Sequence, residues 1–304
     1  MTDIEVSSAD RVVFPDDGIT KGEVVAYYAL VADHMFPFIE GRALTVERFP
    51  QGTQHRGFMQ KNAPSHFSDE LIDTHTVPKE EGGTTSYPVP LHPDAVPAFA
   101  NWGVITFHAP PSTVADTWHP DWVIWDLDPP KNGLEQVRDA AGALKELLEV
   151  FSIETVLMTS GSSGYHLRAR LDRSTDAGDT AQIARGLGAL GVAAHPDLMT
   201  LAFRKADRGK RVFVDWLRNA PYSTSVVPWS LRGRSGASVA TPIDWSELAD
   251  IAPNGVRLSD VPDRLKEDPW GSVEVQSLQP LVEQVSSALD DAGIDLEPFD
   301  RFRS

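Results

Sequence analysis

Trp122-Val123-Ile124-Trp125-Asp126-Leu127-Asp128-Pro129-Pro130 is the stretch on which the fold turns. Four consecutive aromatic and β-branched residues predict a buried strand. Two prolines, which cannot donate to a ladder, end it. Residues i and i+2 of a strand project to one face, about 6.5–7 Å apart along the backbone. Asp126 and Asp128 are therefore expected to look out together from the end of a buried strand. Paired carboxylates suit a hard divalent cation, whose preferred ligands are oxygens. Two acids in a turn that caps the following helix would carry the same letters. Polar groups at the end of a buried strand are costly without a partner, so their position calls for a reason.

Outward from this strand, helices and strands alternate irregularly. Leu134 to Phe151 has helical periodicity, Glu154 to Thr159 is a β-branched strand, and Gly161 to Gly164 reads as a tight turn before a returning strand, Tyr165 to Leu171. A helix near Thr180 to Leu190 and a strand from Arg211 to Trp216 follow. Upstream, Val12-Val13-Phe14 reads as a short strand, and Thr20 with Glu23 forms a capping box for a helix from Lys21 to about Phe36. Ala43 to Phe49 and Trp102 to His108 alternate like strands, whereas Gln51 to Pro64 reads as a loop that exposes Phe58 and Met59. Leu281, Val282, Val285 and Leu289 mark a closing amphipathic helix. The expectation is an α+β (α/β-like) fold, with mixed central sheets flanked by helices. One domain over residues 1–304 is expected, with an acidic helical extension from about residue 245 packed on it.

The bulk numbers narrow the chemistry. A hydrophobic fraction of 41% and a charged fraction of 23% are ordinary for a globular chain. No cysteine is present, which excludes disulfides, cysteine zinc sites, iron–sulfur clusters and thiol nucleophiles. The acidic start, Met1-Thr2-Asp3-Ile4-Glu5, is not that of a signal peptide. No stretch approaches the roughly 20 apolar residues of a membrane helix, so the cytoplasm is the expected location. Acids outnumber Lys plus Arg by 44 to 27, a net charge of -17. The bases are concentrated, however. Arg204, Lys205, Arg208, Lys210, Arg211, Arg218, Arg232 and Arg234 face only Asp207 and Asp215 between residues 204 and 234. A local cationic groove on an acidic body is the expected result, and anion binding there should be salt-sensitive.

Further motifs join the first. Val212-Phe213-Val214 ends at Asp215 and follows Arg208-Gly209-Lys210-Arg211, so Asp215 reads either as a salt-bridge partner or as a third metal ligand. Thr159-Ser160-Gly161-Ser162-Ser163-Gly164-Tyr165-His166 offers small residues and hydroxyls to an anion, but lacks the Gly-Lys-[Ser/Thr] ending of a P-loop. A plain hairpin turn is the alternative. His108, at the end of Val104-Ile105-Thr106-Phe107, is a core histidine or a site residue.

Taken together, Asp126-Leu127-Asp128-Pro129, Ser160-Gly161-Ser162-Ser163-Gly164-Tyr165-His166, Val212-Phe213-Val214-Asp215-Trp216 and Ser230-Leu231-Arg232-Gly233-Arg234 resemble the archaeo-eukaryotic primase superfamily. Within it they look like the polymerase domain of bacterial DNA ligase D and its stand-alone actinobacterial relatives, over about four-fifths of the chain. The resemblance implies a template-directed nucleotidyltransferase that adds ribo- or deoxyribonucleotides to a primer 3′-hydroxyl at DNA ends or short gaps. It implies two divalent ions, Mn2+ or Mg2+, on Asp126, Asp128 and Asp215. Ser160, His166, His108 and Arg232 would hold the incoming nucleotide, with Lys210 or Arg211 near its phosphates. Lys21 and Arg11 would bind the 5′-phosphate of a downstream strand, while Phe58 and Lys61 would contact DNA. Ser163 stands where many relatives have Lys, Met59 replaces a second aromatic, and Gln60 precedes Lys61 where Glu is common. DNA with ends, nicks or gaps, nucleoside triphosphates, a separate DNA ligase and the end-binding protein Ku are the implied partners. A noncatalytic end-binding module and a metal-dependent nuclease are the rival readings.

Overall fold

A computed structural model describes residues 5–79, 82–271 and 273–297, so Met1 to Ile4, used above against a signal peptide, lie outside the described residues. Among the described residues the strand Trp122–Asp128 lies inside a seven-stranded mixed sheet. Val212–Asp215 pairs antiparallel on one side of it and Tyr165–Leu171 antiparallel on the other. Val156–Thr159 and Pro242–Ile243 continue the sheet beyond Tyr165–Leu171, and Met199–Thr200 lies outside Val212–Asp215. Val275–Gln276 adds parallel to the end of Tyr165–Leu171.

The alternation of the central strand sorts its two faces. Val123, Trp125 and Leu127, with Leu167 and Val214, enter a core against the helices Leu134–Val150 and Ala177–Ala194, which contribute Leu144, Leu148, Ala184 and Leu187. Buried Trp125 donates its indole N–H to the Ala184 carbonyl at 3.0 Å, so its polar edge is satisfied. Asp126 and Asp128 point the other way.

A second core surrounds a four-stranded sheet ordered Ser225–Val226, Val104–Ala109, Thr45–Arg48 and Phe58–Gln60, with the helices Lys21–Met35 and Ala95–Asn101. The capping box at the first of these helices is present: the Glu23 amide donates to Thr20 Oγ1 and the Thr20 amide to Glu23 Oε2. Residues beyond 243 serve both cores, through Val256 and Val261 in one and Leu278, Leu281 and Val285 in the other. No described helix is long and apolar enough to cross a membrane.

The structure corrects the loop reading of Gln51 to Pro64. Phe58–Gln60 is an edge strand paired with Thr45–Arg48. Phe58 and Met59 are both about half exposed, so neither face gave the burial alternation that marks a strand. The hairpin Ile72–Pro78 with Thr84–Pro90 also escaped the pattern, because residues such as Asp73, Thr74 and Thr76 keep one strand mostly polar.

Candidate active site

Strand register brings the acidic residues together. Asp215 pairs directly opposite Asp126 on one side, and His166 pairs opposite Asp126 on the other. Residues opposite each other across a ladder share a face. Asp215, Asp126 and His166 therefore form a row across three adjacent strands, with Asp128 two residues along on the same face. The His166 Nε2 lies 3.3 Å from Asp126 Oδ1.

Local sequence explains the row. After Asp215 the chain turns sharply through Leu217–Asn219, and the Asp215 carboxylate accepts the Leu217 amide at 2.9 Å. Buried Asn219 fastens this turn to the central strand. Its Oδ1 accepts from the Ile124 amide at 2.7 Å, and its Nδ2 donates to the Ile124 and Trp216 carbonyls, each at 2.8 Å. A side-chain amide thus replaces backbone pairing where the neighbouring strand has left the sheet. Arg218 is carried back over the acids. Its Nε lies 3.2 Å from Asp126 Oδ2, and a terminal nitrogen lies 3.0 Å from Asp215 Oδ2. Arg208 approaches Asp128 at 3.7 Å.

The Gly/Ser turn borders the acids by steric necessity. A Cβ at Gly164 would lie 1.9 Å from the Leu127 carbonyl oxygen, so only glycine lets this turn cross so close to the acidic strand. Gly161 has φ of +64°, and its side is closed by Arg232 and the Ala240 backbone. The Ser160 hydroxyl accepts from the Ser162 and Gly164 amides at 3.2 and 3.1 Å, which fixes the curl of the turn.

A cavity of about 300 Å³ opens between these elements, lined by Asp126, Asp128, Ser160, Ser162, Ser163, His166, His108, Lys205, Arg218, Thr224, Arg232 and Arg234 among others. His108 comes from the second sheet, at the junction of Thr45–Arg48, Val104–Ala109 and Ser225–Val226. The Nδ1 atoms of His108 and His166 are buried without a hydrogen-bond partner. A second cavity, of about 320 Å³, adjoins at Asp128, Ser163 and Lys205 and is walled by Lys131, Arg208 and Arg211.

The electrostatics are uneven. Burial raises the Asp126 carboxyl, but His166 and Arg218 outweigh it and hold it down at about 2. Burial and the charges of Asp126 and Asp215 push Asp128 up to about 6. Asp215 is raised as well, chiefly by burial. Burial, with Arg232, Arg218 and His166, pushes His108 down to about 3, so its ring is neutral at pH 7.

Sequence-predicted Asp126, Asp128, Ser160, His166, His108 and Arg232 thus share one cavity, with Asp215 joined to them through Arg218. Others lie elsewhere. Arg211 braces its own turn, donating to the Arg208 and Asp207 carbonyls, and borders the adjoining cavity rather than this one. Lys210 lines neither cavity. Lys21 is 5% exposed, with Nζ donating to the Ser7 carbonyl and hydroxyl at 2.7 and 2.6 Å, and Arg11 donates to the Pro50 carbonyl. Phe58 sits on the edge strand under Arg48, and Lys61 lines a separate open groove with Met59 and Tyr87. Sequence reasoning assigned no role to Arg218, Lys205 or Arg234 individually. Their membership of the basic run between residues 204 and 234 signalled them, together with the Ser230-Leu231-Arg232-Gly233-Arg234 motif in the case of Arg234.

Whether the acids suit metal ions is a question of donor chemistry. Three carboxylates share a face, and two of them carry raised pKa values, a crowding of negative charge that a hard dication relieves. The donor set therefore fits. It is not closed: among the described residues no three His, Asp or Glu groups are gathered as an ion would need. Arg218 and His166 occupy the oxygens of Asp126 instead.

Comparison with known proteins bears on the family and the fold. The family model described as LigD, primase-polymerase domain, matches residues 20–270. The multifunctional non-homologous end joining protein LigD of Mycolicibacterium smegmatis is 32% identical over 271 residues, covering 87% of this chain and 35% of that protein. The bifunctional LigD of Bacillus subtilis is 28% identical over 266 residues, covering 86% of this chain and 42% of that one. This chain therefore spans about a third to two-fifths of the length of these two relatives. The polymerase domain of Mycobacterium tuberculosis ligase D, solved in complex with DNA, superposes with a TM-score of 0.81 at 29% identity, covering 93% of this chain and 99% of that one.

Proposed function

Because this chain belongs to the LigD primase-polymerase domain family, we propose that it is a DNA-repair nucleotidyltransferase, extending a primer 3′-hydroxyl at DNA ends or short gaps from a nucleoside triphosphate. The observation that carries this reading is the row Asp215–Asp126–His166, with Asp128 beside it, opening on a cationic cavity.

Asp126, Asp128 and Asp215 would hold divalent ions, two by analogy with other phosphoryl-transfer sites and with Mn2+ or Mg2+ as candidates. When bound, such ions neutralise charge developing on the attacking and leaving oxygens. The protein's own residues do the positioning. The Ser160 turn presents hydroxyls and small side chains that let a triphosphate approach the backbone. Arg232, Arg234 and Lys205 on the cavity wall supply positive charge. Neutral His108 can donate one ring N–H to a phosphate or sugar oxygen without carrying charge. His166 holds Asp126 through Nε2, which fixes that carboxylate's orientation. Arg11 and Lys21, adjacent through the Lys21 amide and the Arg11 carbonyl, form a separate cationic point suited to a 5′-phosphate. Phe58 and Lys61 extend the DNA-facing surface. A separate ligase and an end-binding protein such as Ku would act with this chain on broken DNA, and one domain with residues beyond about 245 as an integral extension fits the shared cores.

The test is incubation with a labelled primer–template, Mn2+ and ribonucleotides. The primer should lengthen, and Asp126→Ala should abolish lengthening while the circular dichroism spectrum is kept. A primer that stays unchanged would favour a noncatalytic end-binding module, and a shortened one a nuclease.

A further inference from the structure

The guanidinium of Arg218 lies where the charge balance of the acids is decided. It contacts Asp126 at 3.2 Å and Asp215 at 3.0 Å, joining carboxylates on two different strands. Its backbone is rigidly set, because Asn219 is bonded to Ile124 and Trp216 and Leu217 to Asp215. Its side chain is anchored chiefly by the acids themselves. It is 37% exposed, and its remaining hydrogen bond, to the Thr224 carbonyl, is long at 3.5 Å. It also lines the same cavity as Ser160, Lys205 and Arg232.

A carboxylate oxygen engaged by a guanidinium is not free to ligate an ion, and two cations cannot sit side by side on the same pair of oxygens without repulsion. We propose that Arg218 is a resident counter-cation of the acidic row, which a divalent ion must displace from Asp126 and Asp215. Once displaced, the guanidinium remains tethered at the cavity wall, within reach of an anionic ligand such as a triphosphate. Arg218 thereby lowers affinity for the metal alone and holds the acids compact until both ligands arrive. This inference rests on the metal-site reading given above, and it assigns Arg218 a positioning role.

The test is Mn2+ titration followed by electron paramagnetic resonance, with Mn2+ as the only ligand, on four proteins: wild type, Arg218→Gln, Arg218→Lys and Arg234→Gln. Arg234 lines the same cavity with no ion pair to the three acids, so its variant reports the general effect of losing one positive charge. Arg218→Gln should bind Mn2+ about tenfold more tightly than wild type, in the usual range of coupling between sites. Arg218→Lys should fall between them, and Arg234→Gln should stay within about twofold of wild type. Thermal unfolding without metal supplies a second reading: Arg218→Gln should melt below wild type, and saturating Mn2+ should close the gap. Equal or weaker Mn2+ binding by Arg218→Gln, or an equal gain in Arg234→Gln, would overturn the proposal while leaving the metal site standing. Failure of every protein to bind Mn2+ would overturn the metal site and this inference together.

Discussion

The two ends of the strand Trp122–Asp128 are both acidic, and they are solved in opposite ways. Just before its start, buried Asp121 accepts from Arg42 through both oxygens at 2.8 Å and from Arg173 at 3.1 Å. Its carboxyl is raised by burial, but Arg42 and Arg173 more than compensate and hold it below the ordinary value. At the far end three carboxylates share two guanidinium groups and one imidazole, and Asp128 and Asp215 are left above their ordinary values. The first end is a matched cluster, in which Arg42, just ahead of the strand Thr45–Arg48, and Arg173 neutralise Asp121 at the start of the central strand. The second carries a surplus of negative charge that the protein alone does not neutralise, and unmatched titratable groups concentrate where chemistry is done.

Breaking each end should therefore cost different things. Asp128→Asn should reduce nucleotide addition by about 10³-fold, the scale on which preorganised charge stabilisation acts, and leave the metal-free melting temperature unchanged or higher. Steady-state extension and calorimetry on the same sample check both halves. Asp121→Asn should do the reverse. It leaves the Arg42 guanidinium buried with its charge unmatched, so unfolding free energy should fall by about 3 kcal/mol, measured by urea denaturation. Extension by the folded fraction should change little.

The pH dependence separates the ends further, and the sign differs at each. Asp121 has a depressed carboxyl, so its stabilisation is present above the unfolded value and is lost as pH falls through the folded one. Asp128 is raised to about 6, so its contribution is present below the unfolded value near 3.8 and is lost as pH rises through 6. Because the Asp128 side chain is 43% exposed, solvent screening reduces that loss to about 1 kcal/mol. Between pH 4 and 7 the metal-free wild type should lose about that much stability relative to Asp128→Asn. Parallel denaturation curves for the two proteins across this range would erase the distinction drawn between the ends.

Much of this was legible in the letters. The central strand, its two flanking strands, the helix Leu134–Val150 and the capping box at Thr20 announced themselves, because apolar runs, prolines and capping residues act locally. Asp126 and Asp128 were readable as a same-face pair for the same reason. Arg218 was not. Its importance comes from a turn held by Asn219 against Ile124, a contact across 95 positions that no local pattern encodes. The matched character of Asp121 was equally hidden, since Arg42 lies 79 residues upstream. Phe58–Gln60 escaped because an edge strand with both faces partly open leaves no periodic trace.

Anomalous diffraction from crystals soaked in Mn2+ tests the central claim most directly. Density should appear between the two strands, with oxygens of Asp126, Asp128 and Asp215 all within about 2.3 Å of an ion. Manganese bound only elsewhere, or held by Asp126 and Asp128 without Asp215, would contradict it.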